Sequence, residues 1–299
     1  MRVDDLFEQI DEKVRLSRTE RDLVRDRGAV VQRLLAESGP TICSLLVGSM
    51  TRSTAIRKFS DVDILAVVGE SIDPPTGNPA TLLAQLAGSL RELDAQVSVG
   101  NMVVSLAFER PPAVEVIAAV RDSDGSTGRY WIADNSGNSW QSYSPTMLNE
   151  LTTERVGVLG PRFIKLIRVA KYWNRANSVG LQSSDIEELA CYALSARLSM
   201  PSYLRALSEL LEVVLAWVTG NPEAVARMGR TFLRSSAYSG TVDALNEVRA
   251  TLTNVQALVE AQDGIVADME EVASVWRAIL GPDATVNIRS SECDRPRAV

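Results

Sequence analysis

The sequence contains no histidine. Every mechanism that rests on an imidazole base is thereby removed, and the absence argues against a catalytic zinc site. Cysteine is scarce too: Cys43, Cys191 and Cys293 are too widely spaced and too odd in number for a disulfide framework or a zinc cluster, which points to a reduced compartment. No apolar run reaches the roughly 18 residues of a membrane span. The first residues, MRVDDLFEQIDEKVRL, have neither the basic start nor the apolar core of a secretory signal. The expectation is a cytoplasmic protein with no membrane partner. Positive charge is in deficit, with a formal net charge of −7, so the large basic surface that grips long nucleic acid is not expected. Chemistry is left to carboxylates, lysines, hydroxyls and metals that prefer oxygen ligands.

The 299 residues, 45% of them apolar, are enough for one large core or two moderate ones. Apolar positions at helical spacing over 3–17 and 19–37 predict two helices, ended by Gly39-Pro40. Thr41–Val47 and Val62–Val68 read as strands, and residues 48–60 between them as a turn with a short helix. Asp73-Pro74-Pro75 and Gly77-Asn78-Pro79 mark a loop, followed by a helix over 81–94. Val97–Phe108 and Ala113–Val120 are two further strand candidates. Residues 121–144 read as a long polar loop with a short strand at 129–133. From Pro145 the pattern is helical, with Pro161 suited to the first residue of a helix that runs to about Asn174. Ser184-x-x-Glu187 reads as a capping box. Helices are expected near 202–218, 241–262 and 265–280. The predicted class is α+β: a mixed sheet with helices in the first half and a helical second half.

One stretch carries the chemistry. An apolar strand delivers Gly48-Ser49, and after eleven intervening residues Asp61-Val62-Asp63 sits inside another apolar run. Gly48 lets the backbone approach a phosphate without a Cβ in the way. Ser49 offers a hydroxyl and an N–H, and a helix starting there would add anion attraction. Asp61 and Asp63, two apart on a strand, point to one face and can bind Mg²⁺ (or Mn²⁺) through oxygen. Two carboxylates are few for the pair of ions that clamps a phosphoryl transfer, so a third acid is expected. Glu115, alone in the apolar run Ala113-Val114-Glu115-Val116-Ile117, fits because a buried carboxylate needs a partner. Glu109 and Asp94, at element ends, are the substitutes.

These residues resemble the signature of the polymerase-β nucleotidyltransferase superfamily. The longer pattern is similar to the bacterial relatives of cyclic GMP-AMP synthase, the CD-NTases or SMODS-type synthases. The likeness runs from Val47 to Leu189. It includes Gly48-Ser49 to Asp63, Glu115, the loop with Tyr130-Trp131-Ile132 and Gly137-Asn138-Ser139-Trp140, then Leu166 to Asn174, and Leu181-Gln182-Ser183 with Glu187. It implies that Lys171 and Ser183 reach the donor triphosphate, in keeping with the point charge of a lysine and the hydroxyl of a serine. The chain departs from the pattern at Ser184, where an aromatic residue is common, and at Glu115, where aspartate is also common.

The pattern along the chain predicts a catalytic core with N-terminal helices over 1–150, a helical domain over 151–285 with a cleft between them, and a tail over 286–299; the helices after about 200 lie outside the resemblance. The resemblance further implies nucleoside triphosphates as substrates, joined into a cyclic di- or oligonucleotide. The setting would be antiphage signalling through a separate effector protein. Two other functions stay open on sequence: transfer of a nucleotide to an RNA end, a protein or a small molecule, and a silent nucleotide-binding domain. The intact acid set argues against the last.

Overall fold

The computed structural model describes residues 3–38, 40–69, 75–124, 128–220 and 242–263. The helix expected over 265–280, the tail over 286–299, Cys293 and Asp73-Pro74 lie outside the described residues. By contact the chain groups into two compact units interleaved in sequence. A sheet unit comprises Val14–Arg168 and Ser183–Met200, and a helical unit is built from Met1–Lys13, Val169–Gln182 and the chain from Pro201 onward.

In the sheet unit, α2 (Arg18–Ser38) leads into β1 (Thr41–Val47), the short α3 (Gly48–Thr51) and β2 (Val62–Val68). Then come α4 (Pro79–Ser89), β3 (Gln96–Val99), β4 (Val103–Ala107), β5 (Val114–Arg121), β6 (Tyr130–Ala133) and β7 (Trp140–Tyr143). The strands form one sheet in the order β1-β2-β5-β4-β3. β6 pairs with the far end of β5, and β7 with β6. Only β2 and β5 run parallel; the other pairs are antiparallel, so the sheet is mixed. Three helical segments complete the unit: α5 (Met147–Leu159), the first half of α6 (Arg162–Ala176) and α7 (Ser183–Ala193).

Alternation along the strands decides which face each side chain meets. Val62, Ile64, Ala66 and Val68 of β2 join Val114, Val116, Ala118 and Val120 of β5 under α2 and α4, which contribute Val31, Leu35, Leu83 and Leu86. The intervening residues, Leu65, Val67 and Ala119, form a smaller cluster on the other face with Val47, Tyr130 and Ile132. That second face carries the acids. α2 opens on a capping box missed in the sequence: Ser17 N donates to Glu20 Oε2 at 2.7 Å, and Glu20 N donates to Ser17 Oγ at 3.2 Å.

The structure differs from expectation in two strand regions. Val97–Phe108 is a hairpin, since Gly100-Asn101 turns the chain between β3 and β4. Within the stretch 121–144, β6 and β7 form a second hairpin, in which Asp134 caps the turn by accepting from Ser136 Oγ at 2.8 Å and Ser139 Oγ at 2.7 Å. These bonds hold the Asp134 carboxyl down at about 2. Polar composition concealed β7 because Trp140-Gln141-Ser142-Tyr143 has little apolar alternation.

The helical unit is built from α1 (Val3–Val14), the second half of α6, α8 (Tyr203–Val218) and α9 (Val242–Asp263). Phe7 stacks on Tyr203 with centroids 4.0 Å apart, and the Tyr203 hydroxyl donates to Glu8 at 2.7 Å. Trp173 is buried and donates to Thr251 Oγ1 at 3.1 Å, so it is a core residue, as its place in the helix suggested. Among the described residues no helix is long and apolar enough to cross a membrane.

The two faces of β1 and β2 give a test of the core. Ile64 is fully buried and Ile42 is 69% exposed. Urea unfolding of Ile64→Ala is expected to show a loss of about 2–5 kcal/mol. Ile42→Ala is expected to stay within about 0.5 kcal/mol of the parent chain.

Candidate active site

The β2–β5 register sets two of the three acids, Asp63 and Glu115, on one face of the sheet. Asp63 is the direct Cα partner of Glu115 in the parallel ladder, flanked by the pairs Val62–Val114 and Ile64–Val116. Paired residues in a ladder project to the same side. Asp61 lies one residue before β2, and all three carboxylates are half-buried. Burial raises the pKa of Glu115, and the negative charge of Asp61 raises it further. The site therefore concentrates negative charge that a cation would relieve. Among the described residues, no three carboxylate, cysteine or histidine groups converge as a ready-made metal cage. The donor set nevertheless suits a hard divalent ion, being all carboxylate and mutually repelling. Glu109 and Asp94, the substitutes, are exposed.

Gly48 borders this face directly. Its backbone has φ +76°, in the left-handed region that disfavours side chains, and Val47 just before it pairs with Asp63. A Cβ added at Gly48 would fall 1.8 Å from Asp63 Oδ2 and 2.6 Å from its Cγ. Glycine is thus required twice, by backbone conformation and by the carboxylate packed on it. α3 is a single turn, too short to sum many peptide dipoles. The anion attraction expected from a helix start reduces there to local N–H groups. Ser49 is nearly buried, at 9% exposure.

The loop after Ser49 is tied to the helices. Arg52 Nε donates to Glu187 Oε2 at 2.5 Å, and Thr54 Oγ1 donates to Glu187 Oε1 at 2.8 Å. Arg52 Nη1 also donates to Asn149 Oδ1 at 3.0 Å, and Arg168 Nη1 donates to the Ser53 carbonyl at 2.8 Å. This corrects the capping-box reading of Ser184-x-x-Glu187: α7 begins one residue earlier, at Ser183, and both oxygens of Glu187 turn to Arg52 and Thr54. The sequence around Glu187 carries little signal for this use, because Asp185 and Glu188 flank it and the nearby serine suggests a local cap.

Gly48, Ser49, Asp61, Asp63, Glu115 and Ser183 belong to the sheet unit, and Lys171 to the helical unit. Lys171 is 1% exposed, so it is no ordinary surface lysine. Ser183 is half-buried at the start of α7. Cys191, further along α7, is no candidate nucleophile: burial pushes its thiol up to about 12.

The Gly48 contact yields a direct test. Gly48→Ala is expected to displace the Asp63 carboxylate and to weaken divalent-ion binding, read by titration with Mn²⁺. Ala at a position of positive φ costs about 1 kcal/mol in backbone strain alone. Unchanged ion affinity in the folded variant would show that the close packing of Gly48 on Asp63 has no bearing on the acids.

Comparison with known proteins bears on the family and the fold. In sequence, the chain is 22% identical to a probable cyclic nucleotide synthase of Bacillus cereus (strain VD146), over 79% of this chain and 80% of the relative. In structure, it is similar to CdnC of E. coli MS115-1, solved with ATP, at a TM-score of 0.72 and 16% identity, covering 93% of this chain and 97% of that one. The DncV cyclic AMP-GMP synthase of Vibrio cholerae matches at a TM-score of 0.68 and 11% identity, covering 92% and 94%. These structural likenesses fix the fold as that of the CD-NTases, polymerase-β-like with an open mixed sheet and a helical C-terminal region. Residues 1–155, which hold Gly48-Ser49 and all three acids, match the Second Messenger Oligonucleotide or Dinucleotide Synthetase domain. The chain belongs to that family, the SMODS nucleotidyltransferases.

Proposed function

We propose that this nucleotidyltransferase joins nucleoside triphosphates into a cyclic di- or oligonucleotide second messenger, with Asp61, Asp63 and Glu115 holding Mg²⁺ (or Mn²⁺). The observation that carries the site assignment is the register pairing of Asp63 with Glu115, beside Gly48, on the face away from α2 and α4. When bound, the ions supply charge neutralisation at the attacking and leaving oxygens. The chain's own residues provide position. Gly48 and Ser49 present backbone and hydroxyl to the phosphates, and Lys171 and Ser183 add a charge and a donor for the donor triphosphate. Glu115, whose carboxylate is pushed toward protonation by burial and by Asp61, is placed to accept the proton of the attacking hydroxyl once charge in the site is balanced.

Phosphoryl transfer asks for alignment and electrostatics rather than a covalent intermediate, and this chain has no histidine to offer one. Work on the product by a separate effector protein, an antiphage role and a cytoplasmic setting are the biology that the family resemblance supports. A solved structure similar to this chain, the CdnC:HORMA-deltaN complex of E. coli MS115-1, supports a protein partner as well. Transfer to an RNA end, a protein or a small molecule remains the second reading, and the same assay separates it.

The wild-type chain, incubated with all four labelled nucleoside triphosphates and Mg²⁺ or Mn²⁺, is expected to form a phosphatase-resistant product. A product that phosphatase degrades, or one that forms only when an acceptor is added, would favour the second reading. The double variant Asp61→Asn/Asp63→Asn is expected to keep its melting temperature within a few degrees and lose at least about 10²–10³ in rate. Substantial turnover by that folded variant would sink the two-metal assignment. Lys171→Ala is expected to weaken binding of a non-hydrolysable triphosphate by about 1.5–3 kcal/mol in isothermal titration, the worth of a charge-assisted bond. Equal affinities would remove Lys171 from the site.

A further inference from the structure

One buried carboxylate in the sheet unit has no part in the phosphoryl-transfer reading. Glu187 lies in α7 with its side chain fully inaccessible, and both of its oxygens take donors from one loop, the one that follows Gly48-Ser49. Arg52, whose side chain is 8% exposed, reaches Oε2 at 2.5 Å, and Thr54 reaches Oε1 at 2.8 Å. Thr54 passes the constraint to the candidate phosphate contact, since its backbone N–H donates to the Ser49 carbonyl at 3.0 Å. Asn149 of α5 and Arg168 of α6 hold the same loop at Arg52 and at the Ser53 carbonyl.

The loop needs such support. α3 is four residues long, and a single turn is not stable by its own hydrogen bonds. Ser53 and Lys58 hold positive φ of 59° and 70°, backbone conformations that surrounding structure must impose on residues with a Cβ. A buried ion pair contributes little net stability, because desolvation offsets the attraction, but it fixes geometry when every lone pair has a partner.

We infer that Glu187 is a positioning residue. Through Arg52 and Thr54 it sets the loop that presents Gly48 and Ser49, and so tunes affinity for the nucleoside triphosphate. The inference rests on the triphosphate reading of that loop. Because α7 begins at Ser183, the same helix carries both the clamp and the second candidate phosphate hydroxyl. Glu187 itself touches no substrate in this account.

The test compares Thr54→Val, Thr54→Ser, Glu187→Gln and the charge-free pair Arg52→Gln/Glu187→Gln with Leu86→Ala, which loosens the core on the opposite face. Each is measured for melting temperature, for binding of a non-hydrolysable nucleoside triphosphate, and for KM and kcat in the labelled assay. Thr54→Val and Glu187→Gln are expected to weaken triphosphate binding and raise KM by about tenfold to a hundredfold while kcat moves far less, the pattern of lost ground-state positioning. Thr54→Ser, which keeps the hydroxyl, is expected to behave as wild type. Leu86→Ala is expected to melt earlier with KM unchanged. If Glu187→Gln does not fold, the double variant, which leaves no lone buried charge, takes its place beside Thr54→Val. Folded Thr54→Val and double variants with wild-type affinity and KM would overturn the inference, as would a KM that rises equally in Leu86→Ala. Wild-type chain that binds no triphosphate would instead remove the reading beneath it, and the inference with it.

Discussion

The parallel pairing of β2 with β5 is the constraint on which the site depends. Two strands that run the same way cannot be joined by a tight turn, so the chain must leave β2, travel through α4, β3 and β4, and return. That detour separates Asp63 from Glu115 by some fifty residues in sequence and then seats them side by side. Both neighbours in each strand are apolar and sink under α2 and α4, so a slip of one residue would bury the acids among Val31, Leu35 and Leu86. The apolar face therefore locks the register, and the register sets the acid pair. Stability of the core and assembly of the site are one requirement in this fold.

Half-burying Glu115 beside another acid has a penalty: burial first, and the charge of Asp61 second, raise its pKa. It is bounded by the location of the acids, at the edge of the smaller apolar cluster and half-exposed, where water still solvates them. Glu187 sits in the opposite situation. It is fully buried, yet it meets Arg52 and Thr54 with both oxygens. Two glutamates on one chain thus reach different ends. One is matched within the chain and makes structure, and the other has its charge repelled by a neighbouring acid and invites a cation.

Much of this was legible from the sequence because it follows from local pattern. β1 and β2 were bounded by their apolar runs, and the Gly48-Ser49 to Asp61-Val62-Asp63 spacing marked the candidate site. The face shared by Asp63 and Glu115 was guessed from the isolation of Glu115 in an apolar strand. The failures came where a partner distant in sequence decides the outcome. Glu187 looked like a cap because Ser184 was near and Arg52 was not. The β6–β7 hairpin was hidden because the turn bonds of Asp134, not an apolar stripe, hold it. The assignment of α1 to the helical unit, through Phe7 on Tyr203, has no local signature at all.

Gly48 joins these lines of argument. On sequence its role is to let the backbone approach a phosphate without a Cβ in the way. In the structure it also lies against the Asp63 carboxylate, closer than any Cβ could be accommodated, with a backbone conformation that only glycine adopts without strain. The strand end that delivers Gly48 is itself paired with β2, so the contact is made by the same ladder that sets the acids. A residue that had to satisfy phosphate access alone could drift along the loop. One that must also fit the carboxylate has a single position, where β1 ends opposite Asp63. The loop that follows lies outside the strands of the sheet, and it is there that Glu187, Asn149 and Arg168 apply their bonds.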